Sequence, residues 1–321
     1  MSDAATNDLR AGFCAIVGLP NVGKSTLLNR ILGRHLAAVS SKPQTTRDRI
    51  LGVHTLALPG QTPDRAQIAY VDTPGVQDGK GPLRRYMRDA STSAASDADV
   101  ILLLVDGTHR NGRVPSFLSQ PEAAALAHAT GTGRPLIVAI NKVDRMSKPD
   151  ILPVIEAWAQ WKHGLEVVPI SASTGENVDA LEQVIAAMLP PGPQLFPDDM
   201  ITDRSPQFIA KEIIREQLYH QLGKELPYAC AVQIESWSEK ADKNELTIGA
   251  VVIVERESQK PIVVGKGGSR IRELGIAARQ AVGAALGKTV HLTLFVKVLE
   301  EWSRGDAALR RLGYGGEGEG L

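Results

Sequence analysis

The sequence predicts an α/β domain with a mostly parallel sheet and helices on both faces, followed by a smaller α+β domain. Three observations predict this. From Gly12 to Leu189 short apolar runs alternate with helical patterns, the rhythm of βαβ units. Beyond Leu189-Pro190-Pro191-Gly192-Pro193 the order changes to helix, two strands, glycine-rich loop, helix and strand. The length, 321 residues, exceeds what one hydrophobic core usually serves.

The strands of the first domain are expected at Phe13 to Val17, around Ile50 to Ala57, Ile68 to Val71, Val100 to Val105, Leu136 to Ile140 and Val167 to Ile170. The proline-rich stop then ends the last helix, and the Pro/Asp-rich stretch after it reads as a linker. The expected bounds are 1–192 for the first domain, 193–205 for the linker, 206–314 for the second domain and 315–321 for a tail. That tail alternates Gly with Glu, has almost nothing to bury and is expected to be disordered. In the second domain a helix is expected from about Gln207 to Leu222. Strands follow at Ala229 to Trp237 and Leu246 to Glu255, then a helix to about Leu286 and a strand from Val290 to Val298.

Composition narrows the class. Hydrophobic residues at 43% and charged residues at 22% suit a folded, soluble chain, while aromatics at 4% are too sparse for stacking platforms to dominate a surface. Net charge is zero, so any basic patch must be local. The two cysteines, Cys14 and Cys230, sit in separate apolar runs; they exclude a disulfide scaffold and fit a reducing cytoplasm. Met1 to Arg10 lacks the apolar core of a signal peptide, and the longest apolar run, Val100 to Val105, is too short to cross a bilayer. A cytoplasmic protein is expected.

Chemistry enters right after the first strand. Gly18, Leu19, Pro20, Asn21, Val22, Gly23, Lys24 and Ser25 match G-x-x-x-x-G-K-[ST], with Thr26 opening a helix. Glycines let successive backbone N–H groups turn inward, and the helix N-terminus adds positive potential for phosphate. Lys24 is expected on the β- and γ-phosphates and Ser25 on Mg²⁺. Asn141, Lys142, Val143 and Asp144 form N-K-x-D directly after the strand Leu136 to Ile140, where an open parallel sheet places ligands. Asp144 can accept from guanine N1–H and the 2-amino group. Adenine offers neither donor. Ser171 and Ala172, in Ser-Ala-Ser after the next strand, are expected to bring the Ala172 N–H toward guanine O6; a helix N-cap at Ser173 or Thr174, with Glu176 following, is an equal and compatible reading.

Asp72, Thr73, Pro74 and Gly75 follow the third strand as D-x-x-G, with Asp72 expected to hold Mg²⁺ through a water and the Gly75 N–H to touch the γ-phosphate. In the polar stretch Gln44-Thr45-Thr46-Arg47, Thr46 is the first choice of metal ligand and Thr45 the second. Phosphoryl transfer needs mostly positioning and charge neutralisation, so Lys24, Thr46, Gly75 and Asn21 form the candidate catalytic set. Val76 stands where a water-orienting glutamine is common, so intrinsic hydrolysis is expected to be slow. Asn21 is a candidate ligand for a monovalent cation such as K⁺ that would replace an arginine finger.

In the second domain Gly265, Lys266, Gly267 and Gly268 form G-x-x-G, followed by Ser269 and Arg270 at a helix start. Such a loop clamps the backbone of about four nucleotides in RNA-binding KH domains. From Pro261 to Arg311 nine basic residues stand against four acidic ones, a local charge of +5 in a neutral protein. These six loop residues are the candidate RNA site. No Ser/His/Asp or paired-carboxylate arrangement suggests a second chemistry. A signalling GTPase with a protein-binding second domain, and an RNA-binding module with an idle nucleotide fold, are the rival readings.

The whole chain, from about residue 12 to 314, resembles the Era family of bacterial GTPases of ribosome assembly. GLPNVGKST from Gly18, KPQTTRDRILG from Lys42, DTPG from Asp72, NKVD from Asn141 and SAS from Ser171 carry the likeness, joined by ELPY at Glu225, VERESQKPIVVGKGG from Val254 and LRRLGY from Leu309. The resemblance implies a P-loop GTPase domain before a type II KH domain, with GTP or GDP and Mg²⁺ as ligands. It also implies binding to the 3′ end of small-subunit rRNA on the maturing small subunit, and a loose peripheral association with the inner membrane. DNA is not an expected partner, and a monomer is expected. Two positions depart from the family's habit: Lys266 is second and Gly267 third in the loop, and Gln77 stands where histidine is frequent.

Overall fold

The computed structural model describes residues 9–75, 81–108, 131, 133–162, 164–223 and 225–314. Val76, Gln77 and the tail 315–321 lie outside them. The chain divides into two compact units: Met1–Gly33, Thr46–Asp78 and Met87–Asp203 form the first, and Arg34–Thr45, Gly79–Tyr86 and Arg204–Leu321 the second.

The first unit is built on β1 (Leu9–Val17), β2 (Ile50–Ala57), β3 (Arg65–Asp72), β4 (Val100–Asp106), β5 (Leu136–Asn141), β6 (Glu166–Pro169) and β7 (Pro191–Gly192). The main strand order is β2-β3-β1-β4-β5-β6. All pairs on that path are parallel except the β2–β3 hairpin, and β7 adds an antiparallel bridge to the start of β1. β4 and β5 are buried along their whole length, which explains their unbroken apolar runs: a parallel strand covered on both faces has no polar side to show. Helices α1 (Lys24–Leu32), α2 (Pro82–Asp97), α3 (Lys148–Trp161) and α4 (Val178–Met188) accompany the sheet. One face of the core gathers Val17, Ile101, Leu103, Val138, Ile140, Val154 and Trp158.

Topology places the site. After β1 the chain goes to one side of it for β2 and β3, then to the other for β4. The order therefore reverses at β1, and the carboxyl end of that strand opens a crevice for ligands.

Residues 193–203, expected as part of a linker, are strapped onto the first unit instead. The Gln67 side chain on β3 accepts from the N–H groups of Leu195 and Phe196 (2.9 and 2.8 Å) and donates to Phe196 O (2.8 Å). Ile201 O accepts from Val53 N–H at 2.8 Å, Thr202 Oγ1 donates to Leu51 O at 2.6 Å, and Phe196 packs edge-on against Phe13. Backbone groups of an irregular strand this close to a sheet edge find partners there rather than in water.

The second unit carries a three-stranded sheet, β10 (Thr289–Val298), β9 (Glu245–Val254) and β8 (Cys230–Lys240), with β9 central, parallel to β10 and antiparallel to β8. Against it pack α5 (Pro206–Gln221) and α7 (Ser269–Leu286), through buried Ile209, Ile213, Leu218, Leu274, Ala278 and Val282. Pro206 opens α5 behind Ser205, whose hydroxyl caps the Phe208 N–H at 3.2 Å. Its other end is closed by the segment Arg34–Thr45. Lys42 Nζ donates to Tyr219 O and Leu222 O, the Tyr219 hydroxyl donates to Gln44 O at 3.0 Å, and His35 Nε2 meets Glu216 Oε2 at 2.6 Å. The expected helix, strand, strand, helix, strand order gains two short helices. Lys260–Val264, read from sequence as an apolar segment, winds into a short helix α6 that Pro261 starts and Gly265 ends. A last short helix, α8, spans Asp306–Arg311.

Candidate functional site

The phosphate loop joins β1 to α1 through backbone that side chains oppose. Gly18 (φ +147°) turns where a Cβ would run into the Leu104 carbonyl, and Gly23 (φ +104°) where it would strike Asn141 Nδ2. Asn21 holds φ +64°, a conformation asparagine tolerates better than most residues. Lys24 is buried, and its Nζ donates to the loop's own carbonyls, Gly18 O at 3.1 Å and Leu19 O at 2.9 Å. Burial pulls its pKa down to about 8, against the opposing pull of Asp72. An arriving phosphate would favour the charged amine and offer it better acceptors.

Asp72 ends β3 fully buried, and burial raises its carboxyl to about 6 in spite of Lys24 and Ser25. Ser25 Oγ donates to Asp72 Oδ2 at 2.6 Å and lies 2.7 Å from Thr46 Oγ1. Asp72 Oδ1, buried, has no hydrogen-bond partner among the described residues. Two hydroxyls and an unsatisfied carboxylate oxygen beside a phosphate loop form the all-oxygen set a hard divalent cation such as Mg²⁺ takes. Thr45 faces other partners: its hydroxyl donates to Lys42 O at 2.8 Å and sits 2.6 Å from Ser40 Oγ. Gly75 passes so close to the phosphate loop that a Cβ would stand 2.7 Å from Pro20 N. The Thr73 hydroxyl, bonded to Ile16 O at 2.9 Å, and the Ser91 hydroxyl, bonded to Pro74 O at 2.6 Å, hold D-x-x-G in place.

At the base end Asn141 is a staple. Its Nδ2 donates to Val22 O in the phosphate loop at 2.7 Å, and its Oδ1 accepts from Ala172 N–H at 2.9 Å. The N–H expected to face guanine O6 thus already has a partner. Asp144 is steadied by Ser171 Oγ (2.7 Å to Oδ1) and Ser173 Oγ (3.5 Å to Oδ2). Lys142, at φ +69°, reaches Asp106 Oδ2 at 2.5 Å, while Asp106 Oδ1 accepts from the Thr108 N–H and hydroxyl. Sequence reading missed Asp106; the available signal was an acid closing the apolar run Val100 to Val105 at the carboxyl edge of the sheet. It also missed Arg30, which reaches the Ser-Ala-Ser turn from α1.

In the second unit Gly265 (φ +76°), Gly267 (φ +58°) and Gly268 (φ +78°) all take conformations other residues avoid. A Cβ on Gly265 would stand 2.8 Å from the backbone N of Arg270, whereas one on Gly267 or Gly268 would meet nothing within 4 Å among the described residues. Lys266, Gly267 and Ser269 are exposed at the start of α7. Arg270 turns back, its Nη1 donating to Ile262 O at 2.7 Å, so one of its donors serves the end of α6.

A phosphate loop with N-K-x-D, D-x-x-G and a hydroxyl-rich metal set, followed by a glycine clamp on an α+β sheet, defines a P-loop GTPase joined to a KH domain. Family models agree on both halves: one described as 50S ribosome-binding GTPase matches residues 13–142, and one for the KH domain matches residues 225–303. The chain belongs to the Era family of GTPases. It is 42% identical to GTPase Era of Geobacter metallireducens over 314 residues, covering 98% of this chain and all of that protein. With GTPase Era of Pseudomonas aeruginosa PAO1 it shares 43% over 317 residues, 98% of each chain. Two crystal structures share the fold over 95% of this chain and 99% of theirs, each at 38% identity and a TM-score of 0.86. One is an Aquifex aeolicus Era variant bound to GDP·AlF₄⁻, the other Era in complex with MgGDPNP and nucleotides 1506–1542 of 16S ribosomal RNA.

Proposed function

We propose that this protein binds GTP with Mg²⁺, hydrolyses it slowly to GDP and phosphate, and holds the 3′ end of 16S rRNA during assembly of the small ribosomal subunit. The observation that carries the reading is the meeting of Ser25, Thr46 and the orphaned Asp72 oxygen beside the phosphate loop, in a chain whose second unit presents an open glycine clamp. Ser25, Thr46 and Asp72 would hold the Mg²⁺, which supplies charge neutralisation on the phosphate oxygens. Lys24 carries the positive charge for those phosphates, and the Gly75 N–H orients the terminal one. Asp144, fixed by Ser171, reads the guanine edge. Although one family model is described by the 50S subunit, it spans the nucleotide-binding half alone, and the relative holding 16S nucleotides matches both halves.

Val76 has no group to orient water, so a slow intrinsic rate is part of the reading. Asn21 in its left-handed conformation is the proposed K⁺ ligand; equal hydrolysis rates in potassium and sodium would count against it. Among the described residues no helix is long and apolar enough to cross a membrane. We place the protein in the cytoplasm as a monomer, with at most a peripheral hold on the inner membrane. The deciding experiment is binding of a single-stranded fragment from the 3′ end of 16S rRNA with GTP or GDP present. Gly267→Asp puts a negative charge into the clamp and is expected to weaken binding at least tenfold; wild-type affinity in that variant would remove the clamp from the RNA site.

A further inference from the structure

We propose that Arg30 is a positioning residue for guanine recognition, acting through the Ser171-Ala172-Ser173 turn. The inference rests on the reading of Asp144 as the base reader. Helix α1 starts at Lys24, directly behind the phosphate loop, and Arg30 stands in its last turn. From there Nε donates to Ala172 O at 3.4 Å and Nη2 donates to Ser173 O. A Cβ added at Gly175 (φ +91°) would stand 3.6 Å from Arg30 Cδ, so the stem of the arginine lies against the same turn.

The turn's other hydrogen bonds leave a gap that Arg30 fills. Ser171 N–H donates to Glu176 O at 3.0 Å, Gly175 N–H to Ser171 O at 2.8 Å, Thr174 N–H to Ser171 Oγ at 3.1 Å, and Ala172 N–H to Asn141 Oδ1 at 2.9 Å. These bonds hold the start and end of the turn. The carbonyls of Ala172 and Ser173, in its middle, are taken by the guanidinium. The Ala172 N–H shares its peptide plane with Ser171 O and is held by Asn141 and Gly175; what the guanidinium fixes are the two peptides on either side of Ser173, whose hydroxyl lies against Asp144. Six residues at 1.5 Å each separate Lys24 from Arg30, about 9 Å along one helix. A single rigid rod therefore holds the phosphate amine at one end and the base-reading turn at the other, so that base and phosphate sites keep their spacing.

A last-turn cation also favours the helix dipole, and lysine would serve that purpose as well as arginine. A planar fork to two carbonyls needs the guanidinium. Dissociation constants of the full chain with Mg²⁺ separate these roles, using GTP, inosine triphosphate (no 2-amino group) and 2-aminopurine riboside triphosphate (neither N1–H nor O6), so that each analogue lacks one of the donors that Asp144 reads. In the wild type each deletion should cost affinity. In Arg30→Ala the GTP affinity should fall about tenfold, the size of effect seen when an orienting partner is lost. The penalties for both deleted groups should shrink as well, and Arg30→Lys should follow Arg30→Ala rather than the wild type. If all three nucleotides weaken equally in Arg30→Ala, or Arg30→Lys behaves as wild type, the proposal fails and Arg30 is a helix-end charge. A wild type that treats the three nucleotides alike would instead sink the base reading itself, before any variant is made. Unchanged melting temperature in Arg30→Lys keeps the comparison valid should Arg30→Ala fold poorly.

Discussion

Both ligand loops are rich in glycine, for opposite reasons. In the phosphate loop a Cβ on Gly18 or Gly23 would collide with Leu104 and Asn141, and one on Gly75 with Pro20. The protein itself occupies the space, packing three motifs so tightly that only hydrogen fits. In the KH loop Gly265 is as crowded, its added Cβ 2.8 Å from Arg270 N, but a Cβ on Gly267 or Gly268 would meet nothing within 4 Å among the described residues. There the missing side chains leave room for a molecule that is not part of the chain. One loop is finished by the fold, whereas the other waits for its partner.

The sharpest way to break this contrast is to add the same methyl to each. Gly18→Ala, clashing with backbone at a left-handed φ, should cost about 3 kcal/mol or more of stability together with GTP binding. Gly267→Ala meets nothing within 4 Å among the described residues and should cost about 1 kcal/mol of left-handed strain, keep GTP binding, and lose RNA affinity. Thermal melts with nucleotide titrations, and RNA binding for the second variant, check the pair; equal melting temperatures for the two variants would refute the contrast.

A smaller effect sharpens the RNA side. Lys266 is exposed beside the open glycines, so Lys266→Ala should lower the slope of log affinity against log salt by about 0.7, one single-strand phosphate contact. Parallel salt lines for variant and wild type would exclude that contact.

The smallest effect concerns the first unit away from its loops. His54 on β2 meets Glu182 Oε1 on α4 at 2.7 Å, an oxygen that also accepts from the Tyr70 hydroxyl at 2.9 Å. The hydrogen bond to Glu182 raises the His54 pKa above its ordinary value against the effect of burial, with Glu182 and Asp179 adding charge in the same direction. A raised histidine contributes stability that is present in full below its unfolded pKa of about 6.5 and is lost as pH climbs through the folded value. With the His54 side chain 35% exposed against a buried Glu182, the contribution is about 1 kcal/mol at most after solvent screening. Denaturant titrations from pH 6 to 9 should therefore show a decline that is shallower in His54→Ala; identical pH curves would assign the dependence to other groups, His35 with Glu216 among them.

The loops were legible in the sequence because each is a contiguous string whose residue types answer to one ligand. What escaped reading is made of long-range pairs. Lys142 finds Asp106 across 36 residues and Arg30 finds Ala172 across 142, and neither pairing leaves a local trace. Strand ends were less legible for the same reason: β1 begins at Leu9 rather than Phe13 because Pro191 and Gly192 come back to pair with Leu9 and Arg10. Residues 193–203 read as linker from their prolines and aspartates, yet Gln67 on a distant strand gives their backbone its partners. The short helix at Lys260–Val264 was hidden by its own brevity, since five residues show no helical period.

The attachment of Arg34–Thr45 to α5 limits how the protein can be dissected. A fragment cut to begin at Pro206 would look from sequence like a self-sufficient RNA-binding domain. It would lack Lys42 on the carbonyls of Tyr219 and Leu222, Gln44 on the Tyr219 hydroxyl and His35 on Glu216. Its first helix would end frayed, with a buried carboxylate newly bared to water, so the excised piece would misreport the affinity that the intact chain has for its strand.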